Sequence, residues 1–139
     1  MSASRERVLI ELDSMGVPEQ VFGAGDTLIR EGTSGREVYV LRDGVARVSY
    51  GEREVAVIDE PGAVLGELAA LLDSSRTATV TVVEPGSFFV INDLPGLLEK
   101  HSSFAIVLMR ELAEQILGRE TIHADVYIGL SQMRKSSGN

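Results

Sequence analysis

The sequence predicts a mainly β domain with flanking helices: a β jelly roll or small barrel, a short helix ahead of it, and helices after it. Three observations carry this. From Val21 to about Asn92, short runs rich in Val, Ile, Thr and Tyr are punctuated by Gly, Asp and Pro at intervals suited to strands and turns. No crossover helices separate these runs, which argues for a meander rather than a doubly wound parallel sheet. After Asn92 the texture becomes helical, with apolar residues recurring every four positions.

The elements follow in order. Arg5 to Met15 places Val8, Leu9 and Leu12 at helical spacing and stops at Gly16-Val17-Pro18, because proline cannot continue a helix. Strands are expected at Thr27–Arg30, Glu37–Leu41, Val45–Tyr50, Glu54–Ile58, Thr77–Glu84 and Ser87–Ile91. Arg42-Asp43-Gly44 separates two of these runs, and Asp-Gly supplies the positive φ of a tight hairpin turn, so Val38–Leu41 should pair antiparallel with Val45–Val48. Gly51-Glu52 and Pro85-Gly86 read as further turns. A short helix begins at Leu94-Pro95-Gly96, and Ser102-Ser103 can cap a longer one starting at Phe104. Phe104, Leu108, Leu112 and Ile116 form the stripe through which that helix should pack on the barrel. Ile122, Val126, Gly129 and Met133 continue the pattern without an obvious core to cover, which suits a helix partner, including a homodimer through the C-terminal helix.

Composition narrows the function classes. The 139 residues suit a single domain: a helical segment over 1–20, the jelly roll over 21–92, C-terminal helices over 93–133 and a polar tail over 134–139. Thirteen Lys and Arg against twenty-one Asp and Glu leave a net charge of -8, so a nucleic acid would meet repulsion. With no cysteine and two isolated histidines, His101 and His123, neither a thiolate nucleophile nor a histidine metal centre is indicated, and no metal is expected. Charges fill the N-terminus where a signal peptide needs an apolar run, and no segment reaches the length of a membrane span, so a cytoplasmic location is expected. Gly23-Ala24-Gly25 lacks the third glycine and the following helix of a dinucleotide fingerprint.

The chemistry concentrates between Pro61 and Val80. Gly66 permits close backbone approach, and Glu67 to Leu72 can form a helical turn whose first N–H groups suit an anion. Arg76, nine positions after Glu67, can return a rigid guanidinium to the same place. Helix N–H groups plus one arginine suit a singly charged phosphodiester. Glu67 would be repelled by that anion unless it accepts from a neutral neighbour such as a sugar hydroxyl. On chemistry alone a structural Glu67–Arg76 salt bridge explains the same residues equally well.

The stretch resembles the phosphate-binding cassette of the cyclic nucleotide-binding domain family, whose pattern reads F-G-E-[LI]-A, an apolar pair and a short turn, then R-[AST]-A-[TS]-V. Gly66, Glu67, Leu68, Ala69, Arg76, Thr77, Ala78, Thr79 and Val80 match it, with the family's Glu-to-Arg spacing. Phe22, Gly25, Gly32, Tyr39, Gly44 and Val48 are similar to the family's barrel pattern around a Y-h-h-x-x-G-x-h-x-V hairpin. The resemblance runs from about Val21 to Ile116. It implies a jelly roll with a helical lid and a bound cAMP or cGMP. The phosphate would lie on Gly66, Glu67, Leu68, Ala69 and Arg76, and the ribose 2′-hydroxyl on Glu67. Val48, Val64 and Leu65 would line the pocket, Thr77 would reach a guanine amine, and Gln115, Ile116 and Arg119 would form the lid. The implied role is that of a non-enzymatic regulatory sensor acting on an effector domain or partner protein. Leu65 stands where the family usually has Phe, the N-terminal helical part is short, and no helix-turn-helix follows the lid, as in an excised or a stand-alone sensor. Two alternatives are a degenerate domain used for protein contacts without nucleotide, and a cupin-type metalloenzyme, which would need a His/Glu cluster on strands.

Overall fold

A computed structural model describes residues 2–117 of the chain. Arg119 and the Ile122–Met133 stripe therefore lie outside the described residues. Helix α1 (Ala3–Ser14) begins at Ser2, whose hydroxyl accepts from the Arg5 amide at 3.1 Å. Eight strands follow: β1 (Glu19–Phe22), β2 (Thr27–Ile29), β3 (Val38–Leu41), β4 (Val45–Tyr50), β5 (Arg53–Ile58), β6 (Val64–Leu65), β7 (Thr79–Glu84) and β8 (Gly86–Ile91). Helix α2 (Glu67–Leu72) sits between β6 and β7, and α3 (Leu94–Lys100) and α4 (Ser102–Ile116) follow β8.

The strands form two antiparallel four-stranded sheets, ordered β1-β8-β3-β6 and β2-β7-β4-β5. This is a jelly-roll-like sandwich with helices before and after it, and not a closed barrel. The expected hairpin between β3 and β4 is not formed. Leu41 pairs with Phe88 on β8, whereas Val45 pairs with Glu84 on β7, so the two strands lie in different sheets. Asp43-Gly44 still uses its positive φ, +108° at Gly44, but to turn a corner between sheets. Asp43 and Ser87 exchange backbone hydrogen bonds across that corner, and a Cβ on Gly86 would collide with the Asp43 carbonyl. The β3–β4 and β7–β8 segments thus bend together from one sheet to the other. The simple meander fails for the same reason; of the expected turns, Gly51-Glu52 alone joins paired neighbours, with Tyr50 opposite Arg53.

Alternation along the strands explains the apolar runs. In β3, Val38 and Val40 face the helices while Leu41 faces the second sheet; in β8, Phe88 points inward and Phe89 and Ile91 outward. Strands β3, β6 and β8 are consequently buried on both faces, while β1 at the sheet edge is largely exposed. One cluster between the sheets contains Leu41, Val48, Leu65, Val80 and Phe88; the other joins Val8, Leu12, Phe89, Phe104 and Leu108 on the helix side.

Two details of α4 differ from expectation. Ser102 and Ser103 are its first residues and not its caps, and the Ser103 hydroxyl donates to Glu11 Oε1 at 3.0 Å. The packed stripe is Phe104, Leu108, Glu111 and Gln115, while Ile116 is 71% exposed. Strict four-residue spacing drifts about 40° per step, so Ile116 has rotated by about 120° from Phe104, whereas the 4-3-4 spacing stays in line. The helix packs on α1 and α3, which carry it onto the sheet.

Candidate functional site

Gly66 closes β6 and starts α2 in the left-handed region, at φ +88°. A Cβ there would lie 2.7 Å from Arg76 Nη1, 2.9 Å from Ile29 Cδ1 and 3.1 Å from the Glu37 carbonyl. Glycine is needed both for the backbone angle and for this close approach.

Arg76 fills the space so created. Its Nη1 donates to the Gly66 carbonyl at 3.1 Å and its Nη2 to the Glu37 carbonyl at 2.6 Å, with Glu37 Oε1 forming an ion pair at 3.6 Å. Its backbone is held as firmly: the Arg76 amide donates to the Thr33 carbonyl at 2.8 Å, and the Gly32 amide donates to the Arg76 carbonyl at 2.9 Å. The side chain is 3% exposed. Glu67, the first residue of α2, is fully buried. A guanidinium is rarely buried without a specific geometry to hold it. Here that geometry places one buried cation against the glycine that opens α2, one residue from a buried carboxylate.

The other expected residues separate into two groups. Leu68 is half-buried and Ala69 buried on α2, and Thr77 is half-buried beside Arg76. Val48 and Leu65 lie buried in the cluster between the sheets, and Val64 does not: the next residue along a strand points to the opposite face, and Val64 packs among the helix-side residues. Gln115, expected in the lid, lies in the packed stripe of α4. It is 2% exposed and its Nε2 donates to Glu111 Oε2 at 2.7 Å, inside the α1–α4 seam. Ile116 faces solvent.

Several participants carried no signal in the sequence. Glu37 and Gly35 form the seat of the Arg76 guanidinium, and a Cβ on Gly35 would lie 3.3 Å from Arg76 Nη2. Their contribution is spatial, 39 or more positions away in the chain. Tyr39 stands nearby; burial, then the Glu37 carboxylate, holds its hydroxyl above the ordinary tyrosine range against the opposing pull of Arg76. A second buried group was also missed. Arg5 Nε donates to Glu111 Oε2 at 2.8 Å and Arg5 Nη1 to Glu60 Oε1 at 2.9 Å, tying α1 to α4 and to the segment entering β6. The available signal was a carboxylate and an amide at i, i+4 in phase with Phe104 and Leu108.

Three surface clefts of about 250, 450 and 480 Å³ line the α3 edge, the α1–α4 groove and the far end of α2. None of these three includes Gly66, Glu67 or Arg76, and the candidate site is marked by its buried charges. Among the described residues no cluster of three or more His, Asp or Glu is placed to hold a metal ion, and no helix is long and apolar enough to cross a membrane.

Comparison with known proteins bears on this geometry. The chain is 38% identical over 112 residues to a cGMP-dependent protein kinase of Plasmodium berghei, covering 77% of the chain but 12% of the kinase. The regulatory domain of Toxoplasma gondii PKA, solved with cAMP, superposes with a TM-score of 0.54 at 28% identity, over 64% of this chain and 40% of that one. The Thermus thermophilus catabolite activator protein shares the fold, with a TM-score of 0.67 at 19% identity over 95% of this chain and 61% of that one. The profile of the cyclic nucleotide-binding domain matches residues 19–100, from β1 through α3 and across the whole Gly66–Arg76 site. On that match, which spans more than half of its length, the chain belongs to the cyclic nucleotide-binding domain family.

Proposed function

We propose that the domain binds a cyclic nucleotide, cAMP or cGMP, and works as a non-catalytic regulatory sensor. The observation that carries this reading is the buried Arg76 guanidinium fixed against Gly66 at the start of α2, beside the buried Glu67. A cyclic phosphodiester brings one negative charge and unesterified oxygens that accept. Arg76 would supply the cation, the first amides of α2 the neutral donors, and Glu67 the acceptor for the ribose 2′-hydroxyl. Thr77, next to Arg76, would contact the base and favour a guanine. The relatives support both ligands: one is named for cGMP and one was solved with cAMP.

Binding would reach the rest of the molecule through the end of the β5–β6 segment. Glu60 lies ahead of β6 and shares Arg5 with Glu111 on α4, so a shift of the site is coupled to α4 by charge-assisted bonds. A ligand-responsive C-terminal helix is the proposed output to an effector domain or partner. Of the proposed lid residues Gln115, Ile116 and Arg119, Gln115 would have to leave its hydrogen bond to Glu111 to meet a ligand.

Calorimetric titration tests the proposal. Both nucleotides should bind wild type, and Glu67→Gln should weaken binding by about 1–2 kcal/mol, the scale of a hydrogen bond to a charged group. A 2′-deoxy analogue should distinguish the two proteins far less than the natural nucleotide does. Thr77→Ala should weaken cGMP more than cAMP. Absence of any binding heat and of competition with a fluorescent nucleotide would leave the interaction-module reading in its place.

A further inference from the structure

Helix α2 has six residues, too few to persist on propensity alone. Its far end is poorly anchored by burial, since Leu71 is 39% and Leu72 69% exposed. That end is closed instead by Asp73 at φ +54°, a left-handed position that Asp tolerates better than most residues. The hydrogen bonds around Asp73 converge on one side chain. Arg36 donates to Asp73 Oδ1 from Nε at 3.1 Å and from Nη2 at 2.8 Å. Its Nη1 faces three carbonyls: Ser74 at 2.9 Å, Ser34 at 2.8 Å and Gly35 at 3.1 Å.

Arg36 and Arg76 therefore grip the same loop, residues 32–37, from opposite ends of α2. Arg76 ties the loop to Gly66 at the start of the helix, and Arg36 ties it to Asp73 and Ser74 at the end. We infer that Arg36 is a positioning residue for the nucleotide site, fastening the far end of α2 to the loop that seats Arg76 and so fixing the helix start relative to the guanidinium before ligand arrives. The consequence for affinity rests on the proposed nucleotide binding; the consequence for α2 does not.

Charge is the smaller part of this clamp. Asp73 is 90% exposed, so its ion pair with Arg36 is screened and contributes little by itself. The planar fork is what lets one group meet a carboxylate and three carbonyls together, which a lysine ammonium cannot reproduce. Arg36→Lys should then behave like Arg36→Ala, while Asp73→Asn, which keeps the accepting oxygen and the tolerance for positive φ, should stay near wild type.

The test combines hydrogen exchange on the free protein with titration by cAMP. In Arg36→Ala, amides of residues 67–72 should exchange about tenfold faster, while those of β4 and β7 are unchanged. Affinity for cAMP should fall about 5–20-fold, the scale of one or two ordinary net hydrogen bonds. In an Arg76→Ala background the same substitution should have almost no further effect, because the two residues act on one arrangement. Unchanged protection over 67–72, protection lost equally throughout the domain, or full rescue by Arg36→Lys would each overturn the inference. Should wild type bind no nucleotide, the functional reading fails while the exchange comparison still decides whether Arg36 clamps α2.

Discussion

Gly66 shows how narrowly the site is specified. A methyl group there meets Arg76 Nη1 at 2.7 Å, and the backbone already sits at φ +88°, where an L residue costs about 1–2 kcal/mol. Gly66→Ala should therefore lower stability by at least that amount and displace the guanidinium, with a larger proportional loss in nucleotide affinity than in melting temperature. Equal binding by this variant would show that the Arg76 position is not used. Arg76→Ala should reduce affinity by about 2–5 kcal/mol, the scale of breaking a desolvated charge contact. It should also lower stability by about 1–3 kcal/mol, because the Gly66 and Glu37 carbonyls lose their buried donors. Calorimetric titration and chemical denaturation separate the two effects.

At the scale of elements, the α1–α4 seam is the strongest polar feature away from the site. Arg5 is 3% exposed and Glu111 fully buried, so removing Glu111 leaves a buried guanidinium with Glu60 as its remaining carboxylate partner. Glu111→Leu should cost somewhat less than the roughly 3–5 kcal/mol of a wholly unpaired buried charge, because Glu60 remains, and Arg5→Met added to it should restore part of that loss; additive losses in denaturation would contradict a coupled pair. Burial pushes the Glu111 carboxyl above the ordinary carboxylate range, despite the opposing hydrogen bonds from Arg5 and Gln115. The folded protein then takes up the Glu111 proton before the unfolded chain does. As pH falls from neutrality towards the ordinary Glu range, the stability difference between wild type and Glu111→Gln should shift in favour of wild type and level off below that range. A shift in the other direction would mean that pairing with Arg5 outweighs burial.

The same helix marks what could and could not be read from sequence. Gly66, Glu67 and Arg76 were legible because their spacing lies within one local segment and their residue types serve one chemistry. The strands β4 and β5 and the Gly51-Glu52 turn were legible because they pair with their chain neighbours. β6 was not, since two residues carry no periodicity, and its face assignment decided that Val64 belongs with the helices. The Asp43-Gly44 corner was misread because positive φ serves a hairpin and a sheet-to-sheet bend alike. Glu37 and Arg36 were silent because a seat formed by loop carbonyls leaves no residue pattern. Strict four-residue spacing puts Ile116 in the packing stripe but drifts off the helix face, and Gln115 takes the buried position instead.

Across the whole molecule, the two sheets divide the work. The β1-β8-β3-β6 sheet carries the helices on one face and the inter-sheet cluster on the other, and β6 leads from it directly into Gly66. The β2-β7-β4-β5 sheet supplies Val48 and Val80 to the same cluster, and β7 begins shortly after Arg76. The candidate site thus stands where chain segments from both sheets meet, and a ligand there would touch groups fixed by each. With a net charge of -8, the molecule offers no broad attraction to anions, so the proposed binding would rest on the local buried cation.

Amide chemical-shift mapping during titration with cAMP and with cGMP tests this most directly, because it reports both whether a nucleotide binds and where. Saturable shifts should appear, largest at Gly66–Ala69 and at Arg76 and Thr77, and be reduced or abolished in Arg76→Ala. Absence of shifts at saturating nucleotide, or shifts centred on the α1–α4 groove and unaffected by Arg76→Ala, would contradict it.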